Sequence, residues 1–254
     1  MYLICEECLR IMNTISIIVP VYNEAQCIVS TFYSVLKFAV NKPWYDFIFV
    51  DDGSTDGTRE ILESQIKLLN NKQISLLSYE AHRGKGYAVK TGVLYADGDY
   101  ICFLDGDLAY SLDHLDLMVA KLAYFDIVIG CRNLTAEKNN GFKFLRRLAG
   151  RIFNFISRSL LNLKFTDMQA GIKGFEKYAA KDLFKTQIIP GFAFDVELLY
   201  LAKKKRYTIG EIPVVVSKKH LQKKSKVNLF KHSIEMLFNL LQIVYYDLIL
   251  KKYE

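Results

Sequence analysis

The sequence predicts an α/β protein in which helices flank a mostly parallel β-sheet. Short runs of β-branched and other apolar residues alternate along the chain with longer segments of helical periodicity. No Pro-, Gly- or Ser-rich linker, internal repeat or low-complexity run interrupts this alternation. Polar clusters stand directly after three of the apolar runs, at the strand ends where open α/β sheets bind their ligands. A chain of 254 residues is long enough to bury the core of one such domain.

The predicted strands are short and are bounded by turn residues. The run at 15–21 (ISIIVPV) is apolar almost throughout, which is typical of a strand buried on both faces, and Pro20 brings it to its end. The turn at 51–57 (DDGSTDG) offers Thr55 or Asp56 as the N-cap of the helix that follows. In chain order, the predicted strands are 15–21, 46–50, 74–78, 100–104 and 127–130, and the predicted helices are 25–40, one that ends near 69, 86–96 and 113–124.

Two carboxylates one residue apart follow the fourth predicted strand, in the segment 103–108 (FLDGDL). Asp105 and Asp107 would repel each other in a partly dry site, and a hard divalent cation such as Mg²⁺ or Mn²⁺ would remove that repulsion. For this fragment by itself, a simple turn is the alternative. Polar clusters also follow the first and second strands, at 22–24 (YNE) and 51–54 (DDGS). Three clusters converging on one edge of the sheet favour a site over a turn.

The two halves of the chain carry opposite charge. The formal net charge is +7, but residues 1–137 hold 11 Lys and Arg against 18 Asp and Glu, a balance of −7. Residues 138–254 hold 23 against 9, a balance of +14. An acidic half is suited to a metal, and a basic half to a polyanion or an anionic membrane surface. None of the common DNA- or RNA-binding signatures occurs in the sequence, so we expect no nucleic-acid partner.

The cysteines favour a reducing compartment. Cys5 and Cys8 form a C-x-x-C pair, but the sequence has no second pair and no nearby His, so the pair is a weak metal or redox signal. The other three cysteines, Cys27, Cys102 and Cys131, lie in apolar segments and are expected in the core. The odd total of five cysteines and the absence of a signal-peptide pattern favour the cytosol.

Four segments, in this order, resemble glycosyltransferase family 2, the inverting enzymes of the GT-A fold. They are SIIVPVYNEA (16–25), FVDDGSTDGT (49–58), HRGKGYAVKTG (82–92) and FLDGDL (103–108). The resemblance extends from about residue 15 to residue 216. Two further segments, DMQAGIKGF (167–175) and GFAFDVELLYLA (191–202), are similar to the polyprenyl-phosphate branch of the family, which uses dolichyl-type lipids. The Q-x-x-R-W acceptor motif of the polysaccharide synthases is absent from the sequence.

The resemblance implies a nucleotide-sugar donor, with UDP-glucose favoured and GDP-mannose second. It places the donor site at Pro20, Tyr22, Glu24, Asp51, Asp52, Gly53, Gly84, Lys85, Gly86, Asp105 and Gly106. In this set Asp52 would accept from an N–H of the base. The glycines on either side of Lys85 would let the backbone approach the nucleotide. Lys85 itself would add charge near the donor, and an ordinary solvated lysine is the alternative.

The resemblance also implies a metal site. Asp105 and Asp107 fill the D-x-D motif of the family, and they would bind the ribose and a Mg²⁺ or Mn²⁺ ion that bridges the diphosphate. Such a cation stabilises charge that develops on the leaving nucleotide. Ala109 stands where mannose-transferring relatives often have Gln as a further metal ligand, which favours glucose as the sugar or, alternatively, one more ligand supplied by water.

A polyprenyl phosphate is the acceptor that the resemblance implies. Asp167 stands at the acceptor-side carboxylate position and completes the catalytic set with Asp105 and Asp107. It is a candidate base, but a lipid phosphate with a second pKa of about 6 is already largely ionised at neutral pH. Asp167 could instead orient the acceptor, or it could cap a helix.

Basic and polar side chains near Asp167 are candidates for binding the acceptor phosphate. Gln169 and Lys173 lie close to Asp167 in the sequence. Arg132 follows the fifth predicted strand and is therefore expected at the binding edge of the sheet. A helix predicted over 144–163 adds Arg147 and Arg151, which share one face. Arginine matches phosphate oxygens bidentately, although an ordinary solvated helix face is the alternative.

The last segment predicts an amphipathic helix at 229–250. A polar stripe recurs in it every three or four residues, at His232, Glu235, Asn239, Gln242 and Tyr246. Such a helix suits a membrane interface, and basic clusters at 203–206, 218–220 and 223–226 would add attraction to an anionic leaflet. A membrane span, packing on the domain itself and a dimer contact are the alternatives.

We therefore expect an N-terminal extension (1–14), a GT-A domain (15–226) and a membrane-interface helix (227–254). The protein would be peripheral, on the cytoplasmic side of a membrane, and it could form a homo-oligomer. The expected activity is the metal-dependent, inverting transfer of a hexose, glucose before mannose, to a polyprenyl phosphate. The alternatives are a family 2 enzyme with a glycan or other non-lipid acceptor, and a catalytically idle nucleotide-sugar-binding scaffold.

Overall fold

The computed structural model describes residues 13–134, 153, 155–165, 167–217 and 229–253. Its strands are β1 (Ile15–Val21), β2 (Tyr45–Asp51), β3 (Ile74–Ser78), β4 (Tyr100–Leu104), β5 (Ile127–Cys131), β6 (Ile172–Glu176) and β7 (Ile209–Pro213). Its helices are α1 (Ile28–Val40), α2 (Thr58–Leu69), α3 (Lys85–Tyr95), α4 (His114–Leu122), α5 (Lys177–Thr186), α6 (Phe194–Lys204) and α7 (Leu229–Leu248). Residues 153 and 155–161 are also helical, and they are the described helical part of the helix predicted over 144–163.

The strands form one sheet, in the order β3-β2-β1-β4-β6-β5-β7. As the sequence predicts, the sheet is mostly parallel: β3, β2, β1 and β4 pair in parallel, and so do β5 and β7. β6 lies between β4 and β5 and is antiparallel to both. The carboxyl ends of the six other strands therefore lie at one edge of the sheet, and β6 begins at that edge.

Side chains of the central strands alternate between two cores. Ile17 and Val19 of β1 pack with Phe32 of α1 on one face, whereas Ile18 packs with Val89 of α3 on the other. All five are buried. Helices α1, α2 and α4 cover the first face, and α3, α5, α6 and α7 cover the second. This two-sided burial explains why the strands are apolar almost throughout.

The strands and helices predicted before residue 131 are all present, with shifts of one to three residues at several ends. Helix α1 begins three residues later than predicted, and the amides of Glu24 and Ala25 before it donate to the side chains of Thr58, the first residue of α2, and Asp56. The N-cap of α2 is Gly57, which has a left-handed φ of 90°. The N-cap residue is therefore neither Thr55 nor Asp56, although Oδ1 of Asp56 accepts from the amide of Thr58 over 3.1 Å.

Helix α7 confirms the predicted C-terminal helix and packs on the domain. Leu240 and Ile243 are fully buried in the core, and Asp247 bonds to Tyr200 and Lys204 of α6. The outward face is apolar and exposed, at Leu237, Phe238, Leu241, Tyr245 and Leu248. Much of the polar stripe thus turns toward the domain. In the described parts of the chain, no helix is both long and apolar enough to cross a membrane.

Candidate active site at the carboxyl end of the sheet

The polar clusters that follow β1, β2 and β4 lie together at one edge of the sheet. The amide of Asn23, after β1, donates to the hydroxyl of Ser54, after β2, over 2.9 Å. Thr31 of α1 donates to the carbonyl of Gly106, after β4, over 3.0 Å. Parallel pairing of the strands brings these loops to the same edge. The predicted convergence of the three clusters is thus present.

Asp52 lies at the centre of the predicted base pocket, where its carboxylate is bonded within the protein. The residue is 2% exposed. It accepts from the hydroxyl of Tyr79 (2.7 Å) and the amides of Arg83 (2.8 Å) and Gly84 (3.0 Å). Burial and the bond to Asp52 raise the pKa of Tyr79. In this geometry Asp52 orders the loop after β3 rather than presenting an open acceptor to a base.

Tyr22 and Asp51 are better placed to meet a ligand. Tyr22 is 39% exposed, and its ring stacks on His82 with centroids 3.9 Å apart. Asp51 is buried, and its Oδ2 accepts from the amide of Ser54 over 3.1 Å. Its Oδ1 is buried without a hydrogen-bond partner among the described residues. A buried acceptor left unpaired costs about 1–3 kcal/mol, so this oxygen is suited to an N–H of a ligand.

Three further predicted donor-site residues shape the backbone around this pocket. Pro20 lies near the end of β1, in register with Val50 of β2. The carboxylate of Glu24 accepts from Sγ of Cys27 over 2.7 Å. Gly53 has a left-handed φ of 68° beside the loop after β3. The contact of these three residues with a donor stays a prediction.

Lys85 and the two aspartates of the D-x-D motif form the most strongly charged part of the site. Nζ of Lys85 lies 2.5 Å from Oδ1 of Asp105. Burial raises the pKa of Asp105 despite this ion pair, and the neighbouring Asp107 adds to the rise. Burial opposes the charge on Lys85, but Asp105 and Asp195 outweigh it and raise the pKa of Lys85. Lys85 is therefore an ion-pair partner, not the merely solvated lysine of the alternative.

The glycines next to Lys85 make room for the protein's own backbone. Gly84 has a φ of 103°, and a Cβ there would lie 2.6 Å from the carbonyl oxygen of Pro190. A Cβ on Gly86 would lie 2.7 Å from the carbonyl oxygen of Ile189. A separation under 3.0 Å from a backbone atom is not tolerated. Tight packing on the segment before α6 is therefore one reason for glycine at these two positions. Their expected role in the approach of the nucleotide stays a prediction.

The carboxylates of Asp105 and Asp107 fit a divalent cation of the Mg²⁺ class. Such a cation is commonly held by one or two carboxylates, and substrate phosphates and water complete its shell. The loop keeps this donor set in place, since the amide of Asp105 donates to the carbonyl of Gly171 and the carboxylate of Asp107 accepts from the amide of Ala109. Within the described ranges, no cluster of three or more His, Cys, Asp or Glu forms a metal site of protein ligands alone.

Arg132 and Asp167 form a bidentate ion pair at the end of β5. Nε and Nη2 of Arg132 each donate to Asp167 over 2.7 Å, and the Arg132 amide donates over 2.9 Å. Burial would raise the pKa of Asp167, but the bonds from Arg132 outweigh it and lower this pKa. Tyr110 is buried beside both pairs, and burial raises its pKa to about 12. A carboxylate held in this way is a weak base and a good positioning group.

The remaining candidates for the acceptor phosphate are placed differently. Gln169 points its amide toward Sδ of Met236 in α7, at 3.9 Å. Lys173 is 1% exposed and bonded to Asp195 and to the carbonyl of Ala170, so the expectation that it contacts an acceptor directly does not agree with its burial. Arg147 and Arg151 lie outside the described residues.

Two residues of the site were not predicted from the sequence. Asp195 is the second residue of α6 and is buried against Lys173, and Gly171 packs its backbone on the carboxylate of Asp105. Asp195 and Glu197 are the two charged residues inside the otherwise mostly apolar segment 191–202, and this was the available signal for Asp195. The position of Gly171 depends on the antiparallel strand β6, for which the sequence carried no local signal.

The amino-acid sequence matches a known protein family and named relatives. The model for glycosyl transferase family 2 matches residues 16–184. Dolichyl-phosphate beta-glucosyltransferase of Dictyostelium discoideum is 33% identical over 242 residues, covering 90% of this chain and 73% of that protein. The protein of the same name from Drosophila melanogaster is 33% identical over 214 residues, covering 79% of this chain and 66% of that protein. The chain thus spans about two thirds to three quarters of the length of these relatives.

Solved structures share the fold. Glucosyl-3-phosphoglycerate synthase from Mycobacterium tuberculosis in complex with UDP superposes with a TM-score of 0.66 at 20% identity, covering 93% of this chain and 82% of that one. The same enzyme has been crystallised with Mn²⁺, UDP-glucose and phosphoglyceric acid. At this level of identity the likeness concerns the fold.

Proposed function

Because the chain belongs to glycosyltransferase family 2 and has the GT-A fold, we propose that it transfers a hexose from a nucleotide sugar to a polyprenyl phosphate at a membrane surface. One observation carries this proposal: two charged groups of different chemistry lie at the same edge of the sheet. The Asp105–Asp107 pair with Lys85 suits a nucleoside diphosphate and its cation, and the Arg132–Asp167 pair suits a second phosphate.

UDP-glucose is the favoured donor, and GDP-mannose is the second candidate. The exposed ring of Tyr22, stacked on His82, offers a surface for a base, and the unpaired Oδ1 of Asp51 offers an acceptor for an N–H. The relatives named as glucosyltransferases, and the structural neighbour that binds UDP, support this order of donors.

The cofactor is Mg²⁺ or Mn²⁺, held by Asp105 and Asp107. When bound, it would neutralise negative charge that develops on the departing diphosphate. Lys85 supplies a further positive charge beside the same carboxylates. The structural neighbour crystallised with Mn²⁺ and UDP-glucose supports this assignment.

The acceptor is a polyprenyl phosphate of the dolichyl type, in line with the names of the relatives. Its phosphate needs no strong base, because it is already largely ionised at neutral pH. Asp167, with its lowered pKa, holds the guanidinium of Arg132 in one orientation, and an oriented guanidinium matches the oxygens of a phosphate. The phosphate oxygen then attacks the anomeric carbon opposite the leaving nucleotide, which inverts that centre.

The outward face of α7 is the surface that would meet the membrane, on its cytoplasmic side. Phe238, Leu241 and Tyr245 are exposed on this face, whereas the residues between them pack on the domain. A helix that leaves apolar side chains in water is typical of one that lies in a membrane interface. Basic clusters at 218–220 and 223–226 precede the helix in the sequence, outside the described residues.

A donor and acceptor screen tests the proposal. Purified protein with Mn²⁺ is given UDP-glucose or GDP-mannose, together with a short polyprenyl phosphate, the matching polyprenol without phosphate, or phosphoglyceric acid. We expect mass spectrometry to detect a hexosyl lipid with UDP-glucose and the lipid phosphate, and none with the polyprenol. Transfer only to phosphoglyceric acid would favour a non-lipid acceptor. Donor binding with neither transfer nor hydrolysis would favour an idle scaffold.

A further inference from the structure

A protonated amine is bonded to one of the two carboxylates proposed to hold the divalent cation, since Nζ of Lys85 lies 2.5 Å from Oδ1 of Asp105. A second ion pair lies beside it. Nζ of Lys173 is 2.5 Å from Oδ1 of Asp195 and 2.9 Å from the carbonyl oxygen of Ala170. The side chains of this second pair are 1% and 4% exposed. The two pairs comprise two positive and two negative charges, and Asp195 acts electrostatically on both Lys85 and Asp105.

Aromatic side chains hold the two pairs close to each other. The ring of Phe194, the residue before Asp195, lies 5.9 Å from Nζ of Lys85, and the ring of Phe103 lies 5.5 Å from Nζ of Lys173. Gly86 allows this approach, because a Cβ there would lie 2.7 Å from Cβ of Phe194. Apolar surroundings weaken the screening of the charges. Asp105 is the carboxylate bonded to Lys85, and the negative charges of Asp105, Asp195 and Asp107 together raise the pKa of Lys85 against the effect of burial.

We propose that Asp195, held in place by Lys173, is a positioning residue that receives Lys85 when a divalent cation binds Asp105. The inference rests on the metal site of the proposed function. An ammonium group and a divalent cation on the same carboxylate repel each other, so the amine must leave Asp105 as the cation arrives. Asp195 directly follows Phe194, whose ring lies 5.9 Å from Nζ of Lys85, so a second carboxylate is close by to receive the amine. Without Asp195, Lys85 remains on Asp105 and competes with the cation.

A merely structural role for Asp195 is the competing explanation. Asp195 would then only neutralise the buried Lys173, and its loss would lower stability without a specific effect on the exchange. The two explanations differ in whether the effect of Asp195 on cation binding requires Lys85. A double-mutant cycle measures this dependence directly.

The experiment measures Mn²⁺ binding to the whole chain, without donor or acceptor, by the electron paramagnetic resonance signal of free Mn²⁺. The variants are Lys85→Met, Asp195→Asn and the two together. Lys90→Met is the matched control, because Lys90 lies on the same helix and its Nζ donates to the carbonyl of Gln187. We expect Lys85→Met to tighten Mn²⁺ binding about tenfold and Asp195→Asn to weaken it about tenfold. Asp195→Asn should have no further effect once Lys85 is absent, and the control should bind as the unmodified protein does.

Either of two results would overturn the inference while leaving the metal site intact. Lys85→Met could bind Mn²⁺ no more tightly than the control, or Asp195→Asn could weaken binding equally with and without Lys85. Should the unmodified protein bind no Mn²⁺, or Asp107→Asn bind it as well as the unmodified protein, the metal site of the proposed function fails as well. If Asp195→Asn does not fold, as judged by circular dichroism, the variant that also carries Lys173→Met removes both charges of the buried pair and gives the same comparison.

Discussion

Replacing Asp167 with Asn should destabilise the fold by an amount that depends on pH. The carboxylate is 3% exposed and accepts three hydrogen bonds from Arg132, two of them from the guanidinium. Breaking a buried ion pair costs about 3–5 kcal/mol. Asn keeps one acceptor oxygen, so we expect the free energy of unfolding at neutral pH to fall by about 3 kcal/mol, the lower end of that range.

The pH dependence follows from the lowered pKa of Asp167. Its ordinary value is 3.8, and the bonds from Arg132 hold the folded-state pKa below that value despite burial. The stabilisation is therefore fully present above the unfolded-state pKa and is lost as pH falls through the folded-state pKa. Urea unfolding should give a constant difference between the two proteins from neutral pH to about pH 5, and a shrinking one below about pH 4. A difference that grows on acidification would refute the reasoning.

The same variant separates a positioning role from that of a base. If Asp167 orients Arg132, the variant should raise the KM for the lipid phosphate more than it lowers kcat, and Arg132→Lys should behave in the same way. If Asp167 were the base, kcat would fall by about 10²–10⁴ with little change in acceptor KM. Steady-state kinetics with varied polyprenyl phosphate distinguishes the two patterns.

Three further changes probe the donor pocket, the metal site and the C-terminal helix. Asp52→Ala should weaken donor binding by about 1–3 kcal/mol, because the loop after β3 loses its acceptor; an unchanged Kd for UDP in calorimetry would move the base pocket elsewhere. Gly171→Ala should abolish Mn²⁺-dependent donor binding, because its Cβ would lie 1.9 Å from Oδ2 of Asp105; normal binding in the same assay would contradict this contact. Phe238→Glu, on the exposed face of α7, should release the protein from anionic vesicles without lowering its stability, whereas Leu240→Ala, in the core, should cost about 2–5 kcal/mol. Co-sedimentation with vesicles measures membrane binding, and urea unfolding measures the stability of both variants. Normal vesicle binding by the Phe238 variant would rule out the exposed face of α7 as the membrane contact.

Local patterns were sufficient for the first half of the fold. Each strand from β1 to β5 is a short apolar run that ends at turn residues, so its position does not depend on a distant partner. The D-x-D motif could be placed at the sheet edge for the same reason. Strand β6 was not predicted, because it carries Lys173 and Gly174 and exists through antiparallel pairing with β4 and β5.

Interactions between residues distant in the chain determine the features of the fold and site that the sequence did not predict. The burial of Lys173 depends on Asp195, 22 residues further along the chain, and no periodicity reports such a pair. The polar stripe of α7 was recognised, but the direction it faces depends on partners such as Tyr200 and Lys204 of α6, which bond to Asp247. Arg132 and Asp167 were each expected near the acceptor, whereas their bidentate pairing required the structure.

The measurement that tests the central claim most directly is the anomeric configuration of the lipid product. Protein, Mn²⁺, UDP-glucose and a short polyprenyl phosphate are incubated, and the product is isolated and examined by nuclear magnetic resonance, with Asp107→Asn as the matched control. We predict a glucosyl phosphate lipid with the β configuration, inverted from the α-linked donor, and none from the control or with excess chelator. A product with the α configuration, or equal yields from the control, would contradict the account.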